Sequence, residues 1–249
     1  SYYPVSLSMI FLSGIPRSCS TLLSSLLGQR PDTVVSKTSS LATLIMKANF
    51  EWENTPNLVK HSNGSAVFKA MMDAYHPDQS AKYFFDKSRD WSDPYAMAAA
   101  MTVQDEVKVI ATVRPYAECA ASFVRLCKPD DLNKFLYDSI PMDHLRRTYQ
   151  TLHLGYLQFP NNIHFVRHAD LVTNTQNTLD GISDFIGAER FTHRMTELDQ
   201  VNENDEDWER LWGSALHVLK PEVDNNLEFD ITMIPETMRL PSFWDDTPI

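Results

Sequence analysis

Ile10-Phe11-Leu12-Ser13-Gly14-Ile15-Pro16-Arg17-Ser18-Cys19-Ser20-Thr21-Leu22-Leu23 is an apolar run that passes through a tight turn into small hydroxyl residues opening a helix. Such a turn builds a phosphate cradle, because the N–H groups of a helix's first turn lack intrahelical partners and the macrodipole adds positive charge. Arg17 adds a full charge. The spacing is that of a Walker-type loop, with Cys19, Ser20 and Thr21 where Gly, Lys and Ser/Thr stand in an NTP-binding loop. Without the lysine that reaches the outer phosphates, ATP and GTP are disfavoured, while an anion is still wanted. The plain alternative is a strand-to-helix turn with a serine N-cap.

Outward from this loop, short apolar runs mark candidate strands at Met9–Ser13, Lys82–Asp86, Val107–Val113 and Ile163–Val166, with a shorter one at Thr33–Val35. Helical spacing of apolar residues marks Thr21–Gln29, Ser65–Tyr75, Asp93–Met101, Tyr116–Leu126, Met142–Leu157 and Thr175–Ile186. The alternation predicts an α/β fold whose central, mainly parallel sheet is flanked by helices. Ligands in such folds bind beyond the carboxyl ends of the strands, so functional residues should follow Ser13, Asp86, Val113 and Val166. Beyond Gly187 the pattern weakens, and residues 202–249, acidic and then proline-rich, read as a lid or wrapping tail on one domain spanning 1–249.

A net charge of −11 argues against a general nucleic-acid binder, so an anion pocket must be local. No apolar run reaches the roughly 18–20 residues that span a bilayer. Ser1-Tyr2-Tyr3-Pro4 has no basic region of a secretory signal, so the expectation is a cytoplasmic protein without a membrane partner. Three cysteines, Cys19, Cys119 and Cys127, form no CxxC pair, which argues against a disulfide framework or structural zinc. The histidines show no paired ligand spacing, and no metal is expected.

Arg114 follows the strand Val107–Val113, and Ser122 stands eight residues on, about two turns into the next helix. A phosphate lying over that helix would satisfy both. In isolation, Arg114 reads more readily as a helix-end or surface salt-bridge residue.

Together, the loop Gly14–Leu23, the pair Arg114 and Ser122, and Arg167-His168-Ala169-Asp170-Leu171-Val172 resemble the sulfotransferases that use 3′-phosphoadenosine 5′-phosphosulfate (PAPS). Most similar are bacterial and phage-type members with a Phe-Asp-Lys-Ser-Arg-(Gly/Asp)-Trp strand end, written here Phe85-Asp86-Lys87-Ser88-Arg89-Asp90-Trp91. The resemblance covers residues 8–222 and implies a P-loop-like sulfotransferase fold with PAPS as co-substrate and no metal. By position, Gly14, Arg17, Ser18, Cys19, Ser20 and Thr21 would hold the 5′-phosphosulfate, and Arg114 and Ser122 the 3′-phosphate. Lys87 matches the lysine that reaches the transferred sulfuryl oxygens, and with Arg17 would stabilise charge during transfer. Lys220, with His217 from the same late loop, would add cofactor contacts.

The general base departs from the family's pattern. Cytosolic members place a histidine two residues after the strand-end lysine, where this chain has Arg89, whose pKa above about 12 bars it from taking a proton. Another branch uses a glutamate after the loop, where this chain reads Val35-Ser36-Lys37-Thr38-Ser39. Asp90 and Glu53 are the favoured candidates, beside Asp86, Glu51, His61 and His76, because burial raises a carboxylate's pKa toward neutrality. The acceptor would be a small molecule or glycan offering a hydroxyl or amine. A kinase of related fold and a catalytically silent adenosine-bisphosphate binder remain alternatives. Trp52, Trp91, Trp208, Trp212 and Trp244 read as core anchors before adenine or acceptor platforms. Ala42–Phe50 reads as a helix, and Glu203-Asn204-Asp205-Glu206-Asp207 as a solvated acidic face.

Overall fold

β1 (Met9–Gly14) is the middle strand of a sheet with β2 (Thr33–Thr38), β3 (Tyr83–Lys87), β4 (Val109–Val113) and β5 (Ile163–Arg167), in the order β2-β3-β1-β4-β5. Every pairing is parallel. The structure, a computed structural model, describes residues 9–56, 64–77, 80–201, 203–212, 215–227 and 229–245. The helices are α1 (Ser20–Leu27), α2 (Leu41–Asn54), α3 (Gly64–Tyr75), α4 (Pro94–Met101), α5 (Tyr116–Cys127), α6 (Leu132–Asp138), α7 (Ile140–Gln158), α8 (His168–Thr173), α9 (Thr175–Ile186) and α10 (Glu206–Trp212).

Side chains alternate across a strand, so β1 feeds both faces of the sheet. Met9 and Phe11 join the larger core, built with residues of α2 to α7, while Ile10 and Leu12 join the smaller one, built with α1, α8 and α9. Phe11 stacks on Trp91 with ring centroids 3.9 Å apart. Burying each such side chain stabilises the fold by about 1.5–3 kcal/mol, which is why the chain's most apolar strands sit centrally.

The expected elements form, with shifted ends. β4 starts at Val109, two residues later than expected, and Val107 O accepts from the side chain Asn162 Nδ2 (2.8 Å). β2 continues to Thr38 past a register shift between Val35 and Thr38, where Ser36 Oγ accepts the Lys87 N–H (2.9 Å). The helices α6, α8 and α10 are too short for a periodic signal. The segment after α9 returns to the larger core: Ile234 and Trp244 are buried, and Tyr149 OH donates to Pro241 O (2.6 Å). Among the described residues, no helix is long and apolar enough to cross a membrane.

Candidate active site

The loop after β1 is held in a costly shape. Arg17 (φ 65°) and Cys19 (φ 70°) are both left-handed, at about 1–3 kcal/mol each for residues with a Cβ. Ser18 anchors them: its Oγ lies 2.6 Å from Ile15 O, 3.0 Å from Thr112 O and 2.7 Å from Thr112 Oγ1. The Ser18 hydroxyl therefore faces β4, leaving only its backbone for an anion. Cys19 makes no side-chain cap on α1, so the first-turn N–H groups stay open toward a cavity that Cys19, Ser20, Thr21 and Leu22 line.

Two arginines meet behind this loop. Arg17 Nε donates to Ser122 Oγ (3.0 Å), and Arg114 NH1 donates to Arg17 O (3.1 Å). Arg114 Nε pairs with Glu118 (3.0 Å), and Phe229 covers the guanidinium with its ring centroid 3.6 Å away. Arg114 NH2 is buried and has no hydrogen-bond partner among the described residues. Such an orphan donor is expensive unless something else fills its place.

The end of β3 divides its motif between core and cleft. Asp86 is fully buried, accepting from Ser39 Oγ (2.8 Å) and Trp91 Nε1 and contacting His76 Nε2. Asp86 and Trp91 are therefore scaffold. A short turn, Arg89–Ser92, follows, and Ser13 Oγ donates to Arg89 O (2.7 Å). Arg89 NH1 donates to Gly14 O (3.2 Å), which brings its guanidinium to the loop.

The resulting cavity, about 530 Å³, is lined by Arg17, Arg89 and Arg114 from the sheet side and by Glu203, Trp208 and Leu216 to Leu219 from the tail. Burial pulls the Arg17 guanidinium below its ordinary value, and Arg114 adds to the shift. Burial likewise takes Arg89 down to about 10, with Arg17 adding to it. Three guanidinium groups thus crowd one cavity in a chain of net charge −11. His144 of α7 also lines it, and burial, then Arg89 and Arg147, lower its pKa to about 4. Its imidazole is neutral at pH 7. No cluster of metal-ligating side chains occurs among the described residues.

Several sequence candidates lie elsewhere. Asp90 accepts from Thr43 Oγ1 and does not line the cavity. Glu53 and Glu51 are exposed on α2, and His61 lies outside the described residues. Lys220 is exposed and paired with Asp224, although its neighbours His217, Val218 and Leu219 line the cavity. Lys87 is buried at the cleft, where burial lowers its pKa and Glu203, 2.8 Å away, opposes the shift. Glu203 corrects the solvated-face reading of the acidic run, since its side chain is only 4% exposed. Asp205 contacts the ring of His217 (Oδ1 to Nδ1, 2.6 Å). Trp91 and Trp244 are core, Trp52 is half-buried, and Trp208 lies parallel to Phe123 at the cavity wall; the Trp212 side chain is outside the description. His144, Arg89 and Glu203 are the site residues that sequence reasoning did not assign.

Residues 9–193 match the model of the sulfotransferase family. No curated protein matches the chain significantly. Among solved structures, the chain is similar to the sulfotransferase domain from the curacin biosynthetic pathway, at 19% identity over 74% of this chain and 75% of that one, TM-score 0.52. The sulfotransferase domain of the Synechococcus PCC 7002 olefin synthase is 22% identical over 74% of each chain, TM-score 0.50. A sulfotransferase from Alicyclobacillus acidocaldarius is 14% identical over 80% of this chain and 87% of that one, TM-score 0.50.

Proposed function

The chain belongs to the sulfotransferase family, and from that premise we propose that it transfers the sulfuryl group of PAPS to a hydroxyl or amine of a small-molecule or glycan acceptor. One observation carries the cofactor assignment: Arg17, Arg89 and Arg114 crowd one cavity, and Arg114 keeps a buried NH2 that no described residue partners. A ligand with anions at two ends fits that arrangement; a nucleoside triphosphate lacks the loop lysine it would need.

When bound, PAPS supplies a sulfuryl group whose bond to the 5′-phosphate oxygen breaks as the acceptor attacks sulfur in line, leaving adenosine 3′,5′-bisphosphate. The open N–H groups of α1 and Arg17 would hold the 5′ end, and Arg114 with Ser122 the 3′-phosphate. Lys87 and Arg89 would balance charge that builds on the departing and transferring oxygens, a preorganised role needing no motion during the reaction. His144, neutral and on the same cavity, would take the acceptor's proton.

Arg114→Ala is expected to weaken binding of adenosine 3′,5′-bisphosphate by about 1.5–3 kcal/mol, roughly 10- to 150-fold. Adenosine 5′-phosphate, which lacks the 3′ anion, should lose little. Equal losses in calorimetric titrations would remove Arg114 from the 3′ seat, and tighter binding of ATP than of the bisphosphate would favour a kinase. Lys87→Ala should lower turnover about 10²–10³-fold with bisphosphate affinity nearly intact. Abolished bisphosphate binding would contradict that separation of roles.

A further inference from the structure

Glu203 stands where an exchangeable anion belongs. Its Oε1 accepts from Lys87 Nζ (2.8 Å), Thr38 Oγ1 (3.2 Å) and Thr38 N (3.2 Å), and its Oε2 accepts from Thr38 N (3.0 Å). The donors belong to the sheet, since Thr38 and Lys87 end β2 and β3 and are paired in register. The carboxylate comes from the tail. A small pocket of about 30 Å³, lined by Ser20, Thr38, Lys87 and Arg89 among others, lies between these donors and the start of α1. The donors therefore adjoin the end of the phosphate loop.

The tail segment bearing Glu203 is tied to the same machinery twice. Besides the Glu203 contacts, Arg17 NH1 donates to Leu216 O (3.3 Å). His217 N donates to Asp205 Oδ2 (2.8 Å), so the stretches 203–212 and 215–217 are tied into one strap. Resting on the sulfotransferase reading, in which Lys87 reaches the sulfuryl oxygens, we propose that Glu203 is a latch: it fills the seat made by Thr38 N–H, the Thr38 hydroxyl and the Lys87 ammonium until the sulfuryl group displaces it and loosens the strap.

Two anions cannot share these donors, because like charges in a weakly screened cavity repel strongly. Exchange of one oxyanion for another keeps Lys87 neutralised throughout, which a buried ammonium requires. Adenosine 3′,5′-bisphosphate has no sulfuryl group and leaves Glu203 in place. The latch thus opens for the charged donor and closes over the spent product.

Hydrogen exchange of the full chain, free, with the bisphosphate and with PAPS, tests this. PAPS alone should raise exchange in residues 203–212. Glu203→Gln, whose amide holds the ammonium less strongly, should bind PAPS about tenfold tighter and the bisphosphate as before. Thr38→Val should weaken PAPS and spare the bisphosphate. If PAPS binds but exchange in 203–212 stays unchanged or falls, the latch is overturned and the sulfotransferase reading stands. If the wild-type chain binds neither nucleotide, both go. The wild-type exchange comparison decides the matter even where Glu203→Gln does not fold.

Discussion

Replacing His144 by Gln is expected to lower turnover about 10²–10⁴-fold, the usual contribution of a positioned general base, while adenosine 3′,5′-bisphosphate affinity stays nearly unchanged. The motif's own carboxylates are committed elsewhere: Asp86 to Ser39 and Trp91, and Asp90 to Thr43. His144 faces the cavity in its neutral form, because burial and then Arg89 and Arg147 hold its pKa at about 4. An arriving anion beside those arginines raises that value toward the working pH, so basicity appears once the donor is in place. His144→Ala, which vacates the ring's volume, should regain part of its turnover in added imidazole. Turnover within a few-fold of wild type, or loss without rescue, removes His144 from the base role.

The same shift has a stability consequence that urea midpoints would detect. The unfolded chain protonates this histidine near pH 6.5, about its ordinary value, whereas the folded chain resists protonation down to about 4. The histidine's contribution is therefore whole above about pH 6.5 and drains as the pH falls through that window. His144→Gln should lose less stability than wild type over it.

The sheet was legible because β1 and β4 are short apolar runs buried along their whole length, and β3 and β5 carry apolar residues enough to mark them, a signal that survives without any partner in view. The phosphate loop was legible for a related reason: a glycine, small hydroxyls and a following helix are local in sequence. His144 and Glu203 carry no such mark. Each reaches the cavity only through tertiary packing, one from near the N-terminal end of α7 and the other from a tail whose acidic run looks fully solvated. Charge patterns locate surfaces on average, and a single buried member such as Glu203 is invisible until Lys87 and Thr38 are brought beside it. The same holds for the split of Phe85–Trp91, where alternation and one tight turn send Lys87 and Arg89 to the cleft and Asp86 and Trp91 to the core.

Gly14→Ala should affect the fold and the site at once. Gly14 has φ +128°, and a Cβ there would lie 2.3 Å from Thr112 O and 2.5 Å from Thr112 Oγ1. The strained backbone costs about 1–3 kcal/mol, and the overpacking against β4 about as much again. Thr112 cannot retreat cheaply, since its O also accepts from Ile15 N (3.1 Å) and its Oγ1 contacts Ser18 Oγ (2.7 Å). These are the bonds that hold Arg17 and Cys19 in their left-handed shape, so relief of the clash must come from the loop. Against a total stability of about 5–15 kcal/mol, the variant should unfold at clearly lower urea. Even where it remains folded, it should lose most of its affinity for adenosine 3′,5′-bisphosphate. A folded Gly14→Ala protein with wild-type affinity would mean that the loop's shape does not depend on its close approach to β4, and the anion cradle would have to be sought elsewhere.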